Sequence, residues 1–265
     1  MLKLERVTKQ FDSYRAVNDF SIEVPTGQLL GVVGRSGAGK STLLRCINRL
    51  HDISEGSIIF NNSENSLEID KLKGPSLLEW RAQCAMIFQQ FNLVPRLKVI
   101  TNVLMGRIYH NGTISSLFNR FSSAERVMAF RALDQLGMSE QCLQQTDTLS
   151  GGQQQRVAIA RALMQEPQIV LADEPISSLD PRNAQIVMKA LRSINKDGGI
   201  TVIANLHTLD TAKSYCDRII GMKEGFLVFD GLPEDLTDNI AREIYGVVDD
   251  AEDEEFSTAI TSTTI

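Results

Sequence analysis

The sequence predicts an α/β fold with a mainly parallel sheet, an antiparallel edge sheet and an inserted, mostly helical subdomain. Four short, mainly apolar runs, typical of parallel strands that are buried on both faces, lie at 29–33, 84–88, 169–172 and 200–206. Residues 2–7 and 20–24 alternate between apolar and polar side chains, as half-buried antiparallel strands do. Residues from about 92 to 165 lack both patterns and contain helical periodicity. Residues 218–229 are predicted to form a closing hairpin.

The loop after the first apolar run has the pattern of a phosphate-binding loop, Gly-x-x-x-x-Gly-Lys-Ser/Thr. Its glycines allow consecutive backbone N–H groups to surround phosphate oxygens, and the following helix adds its positive N-terminus. Lys40 offers a cation for the outer phosphates, and Ser41 offers a hydroxyl for Mg²⁺. An ordinary glycine turn is the alternative, but the strand before the loop and the helix after it favour phosphate binding. The predicted phosphate-binding residues are Gly34, Arg35, Ser36, Gly37, Ala38, Gly39, Lys40, Ser41 and Thr42.

A second glycine-containing motif, Leu-Ser-Gly-Gly-Gln at 149–153, precedes a helical segment that ends before Pro167. Its serine, Ser150, is predicted to cap the helix, since serine favours the N-cap position. Gly151 and Gly152 then leave backbone N–H groups bare at the helix start. This motif predicts a second anion site, and a plain capped helix is the alternative.

With both motifs in one chain, the sequence resembles the ATP-binding-cassette (ABC) ATPases, whose signature is Leu-Ser-Gly-Gly-Gln. The resemblance implies a P-loop NTPase core of the ABC ATPase type, ATP and Mg²⁺ as ligands, and a head-to-tail dimer with a second copy of the chain. In that family, the signature of one subunit closes over the ATP that the other subunit holds. Asp180, in Ser-Leu-Asp at 178–180, matches the family's inter-subunit loop. The residues expected to act in trans are Ser150, Gly151, Gly152, Gln153 and Asp180.

The apolar run at 169–172 ends in two carboxylates. Asp173 stands where a strand-end acid can hold Mg²⁺ through water, and Glu174 stands where a base or a water-orienting group is needed. Adjacent acids also occur on ordinary surfaces, but an apolar run leading into them favours the site. The resemblance adds Gln89, the family glutamine that touches metal and attacking water, and His207, the switch histidine. The predicted catalytic residues are Glu174, His207, Lys40 and Gln89, and the predicted metal residues are Ser41, Gln89 and Asp173.

Phe11 matches the family's aromatic residue that stacks on adenine, a use suited to a flat apolar ring. Two observations leave the assignment open. Tyr14 lies nearby, and Asp12 stands where the family usually has glycine. The alternative is that Phe11 is a core aromatic residue.

Charge is unevenly distributed along the 265 residues, whose formal net charge is −6. Six of the 33 acidic residues lie in 249–255, which leaves 27 acidic residues against 27 basic ones in the rest of the chain. A neutral body argues against nucleic acid as the partner, because phosphate contacts need concentrated basic charge. The sequence therefore predicts an ATPase domain at 1–248, with its helical subdomain at about 92–165, and a disordered acidic, Ser/Thr-rich tail at 249–265.

No run reaches the roughly 18 apolar residues of a membrane span, and the N-terminus has no secretory leader pattern. The four cysteines are scattered and predict reduced thiols rather than a disulfide framework. Three functional classes remain: the ATPase subunit of a transporter, a soluble ATPase acting on DNA ends or ribosomes, and a nucleotide-dependent binding module. The soluble types usually have two cassettes, a coiled-coil insertion or basic patches. A binding module should have lost Lys40, Glu174 or His207.

The apolar loop after Gln89 favours the transporter, because exposed apolar patches usually mark contacts. The resemblance implies a groove for a helix of the membrane permease, and a buried packing segment is the alternative. The residues expected near that groove are Phe91, Leu93, Val94 and Leu97.

Five segments are similar to the ATPase subunits of phosphonate importers. They lie at 42–50, 86–97, 102–107, 116–121 and 205–207. The similarity implies uptake of phosphonate, or of phosphite, hypophosphite or phosphate, across the cytoplasmic membrane. It also implies membrane permease subunits, a periplasmic phosphonate-binding protein and a peripheral position on the cytoplasmic face of the inner membrane. The substrate rests on kinship alone, because none of the five segments touches it.

Overall fold

The structure, a computed structural model, describes residues 1–62, 65–111 and 121–246. The predicted tail at 249–265 and most of segment 116–121 lie outside the described residues. Within the described ranges, the strands form two sheets, one of four strands and one of six.

The four-stranded sheet is antiparallel, with the order β2-β1-β4-β5. Its strands are β1 (Leu2–Phe11), β2 (Tyr14–Val24), β4 (Glu55–Asn61) and β5 (Ser66–Glu68). The two predicted edge strands are confirmed and are longer than the alternating runs. Register shifts in β1 after Leu4 and Val7 interrupt the alternation, and Arg6 there has a φ of 47°. These bulges explain why period-two patterning ends before the strand does.

The six-stranded sheet has the order β10-β9-β3-β8-β7-β6. Its strands are β3 (Leu29–Val33), β6 (Cys84–Ile87), β7 (Ile169–Asp173), β8 (Thr201–Asn205), β9 (Arg218–Lys223) and β10 (Phe226–Gly231). Five of these strands are parallel, and β10 closes the sheet as the predicted antiparallel hairpin with β9. All four apolar runs are therefore confirmed as strands. Their carboxyl ends meet at one edge, which is where ligands bind in open parallel sheets.

The described helices are α1 (Lys40–Ile47), α2 (Gly74–Gln83), α3 (Val99–Leu104), α4 (Ser123–Gln135), α5 (Gly151–Leu163), α6 (Pro181–Gly198), α7 (Leu209–Tyr215) and α8 (Asp238–Tyr245). Between residues 92 and 165, the described part of the chain contains helices and one isolated bridge, from Lys98 to Gln145. Helices α3, α4 and α5 pack against one another. Among the described helices, none is long and apolar enough to span a membrane.

Both faces of the six-stranded sheet are buried, each in its own hydrophobic cluster. Along β3, Leu29 and Val33 face the cluster shared with the helices, whereas Leu30 and Val32 face the cluster shared with the antiparallel sheet. Trp80 fills this second cluster, and its Nε1 donates to a backbone carbonyl 2.9 Å away. The loops at the strand ends thus rest on a sheet that is packed from both sides.

Candidate nucleotide-binding and catalytic site

A pocket of about 240 Å³ opens at the carboxyl end of β3. Most of its lining comes from the loop between β3 and α1 together with the first turn of α1. The lining residues are Tyr14, Ala16, Ser36, Gly37, Ala38, Gly39, Lys40, Ser41, Thr42 and Glu174. The structure therefore gathers most of the predicted phosphate-binding loop around one cavity.

The loop follows its path because two of its glycines lie against backbone. A Cβ atom on Gly39 would lie 2.0 Å from the carbonyl oxygen of Ala16, and one on Gly34 would lie 2.2 Å from that of Met222. Gly37 has open space around it, but its φ of 80° belongs to the left-handed region that favours glycine. The pattern of glycines thus reflects close approach at two positions and backbone conformation at the third.

Lys40 is buried at the start of α1, and its ammonium lies within the loop. Its Nζ donates to the carbonyl oxygens of Gly34, at 2.5 Å, and Arg35, at 3.0 Å. The N-cap residue of α1 is Gly39, which has no side chain with which to cap the helix start. Uncapped backbone N–H groups at a helix N-terminus attract anions, and the ammonium adds a full positive charge.

The Asp173 carboxylate at the end of β7 is buried and accepts two hydrogen bonds on Oδ1. Ser41 Oγ donates to it at 2.7 Å, and Asn205 Nδ2 donates at 2.8 Å. The structure thus brings together two of the three predicted metal residues, and their hydroxyl and carboxylate oxygens suit Mg²⁺. The third, Gln89, is exposed and donates from Nε2 to Ser177 Oγ at 3.3 Å. Gln89 is not among the described residues that line the pocket, so this conformation does not bring it to the site.

Glu174 and His207 form a close pair at the ends of β7 and β8. His207 Nε2 lies 2.6 Å from Glu174 Oε1. This hydrogen bond holds the pKa of Glu174 below its ordinary value, and the charges of His207 and Lys40 act in the same direction against the desolvation of the carboxyl group. Glu174 also has a φ of 52°, a conformation that costs a non-glycine residue free energy. Both residues therefore stand where the sequence predicted the hydrolytic groups.

The structure brings Tyr14, rather than Phe11, to the pocket. Tyr14 Oη donates to the Gly37 carbonyl at 3.1 Å, and its ring is 54% exposed. The Phe11 ring instead meets His51 edge-on at 5.3 Å, with Lys9 Nζ 4.6 Å from its centroid. At 39% exposure Phe11 is no core residue either. The sequence assigns the stacking role to Phe11 because of its position in the family motif. That position does not reveal that the turn after β1 directs only Tyr14 to the loop.

The signature motif forms the predicted capped start of α5. Ser150 Oγ accepts from the backbone N–H of Gln153 at 3.4 Å, and Gln153 Oε1 accepts from the N–H of Ser150 at 2.9 Å. A Cβ atom on Gly152 would lie 2.5 Å from Asn183 Cγ, so a larger residue there would require the Asn183 side chain to move. None of residues 150–153 belongs to the described lining of the chain's own pocket.

Asp180 caps α6, the helix that lies against the signature. Its carboxylate accepts from the backbone N–H of Asn183 at 3.1 Å and from Asn183 Nδ2 at 2.5 Å. These two bonds lower the pKa of Asp180, the side-chain bond most. Asn183 thus contacts both Asp180 and the signature glycine Gly152. The two segments predicted to act in trans are therefore adjacent, with Asn183 between them.

The apolar loop at 91–97 is only partly a free surface. Val94 is 39% exposed, but Leu93 packs against the main hydrophobic cluster. Arg161 donates to the carbonyl oxygens of Phe91, at 2.7 Å, and Asn92, at 2.6 Å. The expectation of an outward-facing groove therefore fits Val94 better than Leu93, which packs inward.

Sequence reasoning missed the polar residue that holds this loop. Asn102 is fully buried in α3; its Oδ1 accepts from the Val94 N–H at 2.8 Å and its Nδ2 donates to the Val94 carbonyl at 3.1 Å. Thr146 Oγ1 donates to the same carbonyl at 2.8 Å. An asparagine within the apolar segment 99–104 was the available signal, since buried polar groups are usually hydrogen-bonded.

Comparison with known proteins identifies the family. The sequence model described as "ABC transporter" matches residues 17–177. The "Phosphonates import ATP-binding protein PhnC" of Agrobacterium fabrum is 59% identical over 262 residues, which cover 99% of this chain and 90% of that protein. The protein of the same name from Ruegeria pomeroyi is 54% identical over 265 residues, which cover 100% and 94%.

Solved structures agree with the predicted fold class. The ATP-binding cassette MJ0796, in a dimeric post-hydrolysis state bound to ADP and Pi, matches with a TM-score of 0.77 and 31% identity, covering 88% of this chain and 99% of that one. The CbiO1 protein of Clostridium perfringens, part of the ABC transporter complex CbiONQ, matches with a TM-score of 0.78 and 29% identity, covering 92% and 93%. The P-loop core of the ABC ATPase type is confirmed, and the chain belongs to the ABC transporter family.

Proposed function

We propose that the protein is the ATP-hydrolysing subunit of an ABC importer, which couples ATP binding and hydrolysis to uptake of phosphonate or a related phosphorus oxyanion. The observation that carries the proposal is the convergence of Lys40, the Ser41–Asp173 pair and the Glu174–His207 pair at one sheet edge. A binding module without turnover would not need the last pair. The transported substrate is supported by the names of the relatives that are 59% and 54% identical.

In the proposed complex, ATP lies in the pocket with its phosphates against the loop N–H groups. Ser41 and Asp173 would hold Mg²⁺, Asp173 through water, and Gln89 would join them if it turned from its contact with Ser177. Mg²⁺, when bound, neutralises charge on the outer phosphates. Lys40 exchanges its two backbone carbonyl acceptors for phosphate oxygens, which are charged and therefore form stronger hydrogen bonds.

Glu174 orients the attacking water in this proposal. Its lowered pKa keeps the carboxylate ionised at neutral pH, so that it accepts a hydrogen bond from the attacking water. His207 fixes the direction of that carboxylate through the 2.6 Å contact. The backbone of His207 is held in turn, because Tyr245 Oη donates to its carbonyl at 3.0 Å.

Two copies of the chain are proposed to pair head to tail. The signature start, with Ser150, Gly151, Gly152 and Gln153, then covers the ATP of the other copy, and Asp180 links the two sites. This arrangement is supported by the capped helix start that lies away from the chain's own pocket, and by the dimeric cassette among the similar structures. The copies would sit peripherally on the cytoplasmic face of the inner membrane, beneath the permease.

A test of the whole proposal uses the complex with its permease and periplasmic binding protein in vesicles. Addition of an alkylphosphonate should stimulate ATP hydrolysis. Phosphite, hypophosphite and phosphate are added separately, and the stimulation by each ranks these anions as alternative substrates. Stimulation by none of the four would contradict the proposed substrate class. Absence of basal hydrolysis in the isolated chain would contradict the ATPase itself.

Substitution of Tyr14 by alanine should weaken ATP binding by about tenfold without changing turnover at saturating ATP, because stacking on adenine stabilises ground state and transition state equally. The exposed ring at the pocket supports this expectation. Phe11→Ala is the matched variant, three residues away. Titration of both variants with ATP shows which of the two rings contributes to binding. Weaker ATP binding in Phe11→Ala but not in Tyr14→Ala would instead favour Phe11, the residue at the family's position.

Permease docking is proposed near Phe91, Leu93, Val94 and Leu97, and Val94 is the sharpest test. Val94→Asn should change the free energy of unfolding by no more than about 0.5 kcal/mol, because the side chain is exposed. Copurification with the permease should fall sharply. Leu93→Asn is the contrasting variant and should lower the melting temperature, since Leu93 packs against the core. Normal assembly of Val94→Asn would argue against this docking surface.

A further inference from the structure

A buried asparagine stands at the end of the central strand β8. The preceding residues Val202, Ile203 and Ala204 are buried and apolar, as expected of a parallel strand that is covered on both faces. Asn205 is fully buried as well, and it pairs in register with Asp173 on β7. The polar amide of Asn205 is therefore unexpected after three buried apolar residues of the same strand.

The two ends of the Asn205 amide have different surroundings. Nδ2 donates to Asp173 Oδ1 at 2.8 Å, whereas Oδ1 has no hydrogen-bond partner in the described part of the chain. A buried polar atom without a partner is costly, and most buried polar atoms in proteins avoid this cost. Fold stability alone would favour an apolar residue here, so the contact with Asp173 is the feature that accounts for the amide.

The other groups around Asp173 belong to the helix that follows the phosphate loop. Ser41 Oγ donates to Oδ1 at 2.7 Å, and an Arg45 guanidinium nitrogen lies 3.6 Å from Oδ2. Both residues are on α1, and Ser41 is itself a proposed metal ligand. The Ser41 oxygen would bind a metal ion through a lone pair, so its O–H group would remain able to donate to Asp173, but in a direction set by the metal ion. Asn205 lies on β8 rather than on α1, so its hydrogen bond to Asp173 does not depend on that direction.

We propose that Asn205 is a positioning residue of the metal site. Its amide fixes the rotamer of the Asp173 carboxylate from β8, independently of the Ser41 hydroxyl, so that the carboxylate keeps its direction whether or not Ser41 holds a metal ion. This inference rests on the proposed binding of a nucleotide with a divalent cation. It gives Asn205 a role in metal affinity that is separate from the role of His207, two residues further along the chain.

The chain offers a matched control in Asn195, on α6. Asn195 is also buried, and its Oδ1 likewise lacks a partner in the described residues. Its Nδ2 donates to the backbone carbonyls of Gly27 and Ile200, both at 2.8 Å. Replacement of Asn195 by alanine therefore removes a buried amide that holds backbone but no metal residue.

The experiment compares the full-length wild type with Asn205→Ala and Asn195→Ala. Mn²⁺ serves as the probe, and its free concentration is followed by electron paramagnetic resonance in the presence of ADP. Partners of metal-binding side chains typically contribute at least tenfold to affinity, so Asn205→Ala should weaken Mn²⁺ binding by about tenfold. ADP binding in EDTA should remain at the wild-type value. Asn195→Ala should lower the melting temperature and leave Mn²⁺ binding unchanged.

Wild-type Mn²⁺ affinity in Asn205→Ala would overturn the proposal, and so would an equal loss in Asn195→Ala. If Asn205→Ala does not fold, Asn205→Val, which has strand propensity and removes the donor, enters the same comparison. Failure of the wild type itself to bind ADP would contradict the proposed nucleotide function. That result appears in the wild-type titration alone, so the two failures are distinguishable.

Discussion

Replacement of Glu174 by glutamine should slow ATP turnover by roughly 10² to 10⁴, the usual contribution of a positioned carboxylate. Glutamine has the same shape, so it retains a contact with His207 and leaves the phosphate loop unchanged. It lacks the negative charge with which Glu174 orients water. ATP affinity should therefore stay close to the wild-type value while hydrolysis nearly stops, and single-turnover and equilibrium-binding measurements on the same sample separate the two.

Glu166→Gln is a matched control for this substitution. Glu166 also has a left-handed backbone, with a φ of 53°, but it is exposed and pairs with Arg107. Surface ion pairs contribute little, so its turnover should match the wild type. Uncleaved ATP should also hold the Glu174→Gln chains together, and gel filtration should show a dimer with ATP but not with ADP. Near-normal hydrolysis by Glu174→Gln would contradict the proposed role of Glu174 in hydrolysis.

The parts of the site that the sequence could predict are those that depend on the conformation and packing of the backbone. A loop with glycines at 34, 37 and 39 is constrained by close contacts and left-handed conformations, and such constraints appear directly as residue type. Strand ends are also predictable, since a fully apolar run that stops at Asp173 defines which edge of the sheet the carboxylate occupies. Both predictions came from local chemistry, which needs no knowledge of distant contacts.

The parts that sequence could not predict depend on the direction of individual side chains. Phe11 and Tyr14 are three residues apart, and only the geometry of their hairpin determines which ring reaches the loop. Leu93 and Val94 are adjacent, yet one packs inward and the other is exposed. Asn205 lies in a run that the sequence predicts to be a buried strand, but its partner, Asp173, is 32 residues away. Such choices are made by tertiary packing.

Substitution of Lys40 by methionine should abolish the response of the protein to nucleotide. Methionine retains the apolar stem but removes the charge and the hydrogen bonds to the carbonyls of Gly34 and Arg35. The same charge is expected to bind the outer phosphates, and removal of one such donor typically lowers turnover by about 10² to 10³.

Ligand-induced stabilisation measures the binding directly, because a ligand that binds only the folded state raises the melting temperature. The wild type should therefore gain stability with ATP and Mg²⁺, and Lys40→Met should not. Without nucleotide, the variant separates two roles of the ammonium. A melting temperature near that of the wild type means that the carbonyl groups of Gly34 and Arg35 form hydrogen bonds with water in the variant. A large loss means that the ammonium also supports the folded loop, since buried carbonyls without donors are costly. In either case, an ATP-dependent shift of wild-type size in Lys40→Met would contradict the assignment of this pocket as the phosphate site.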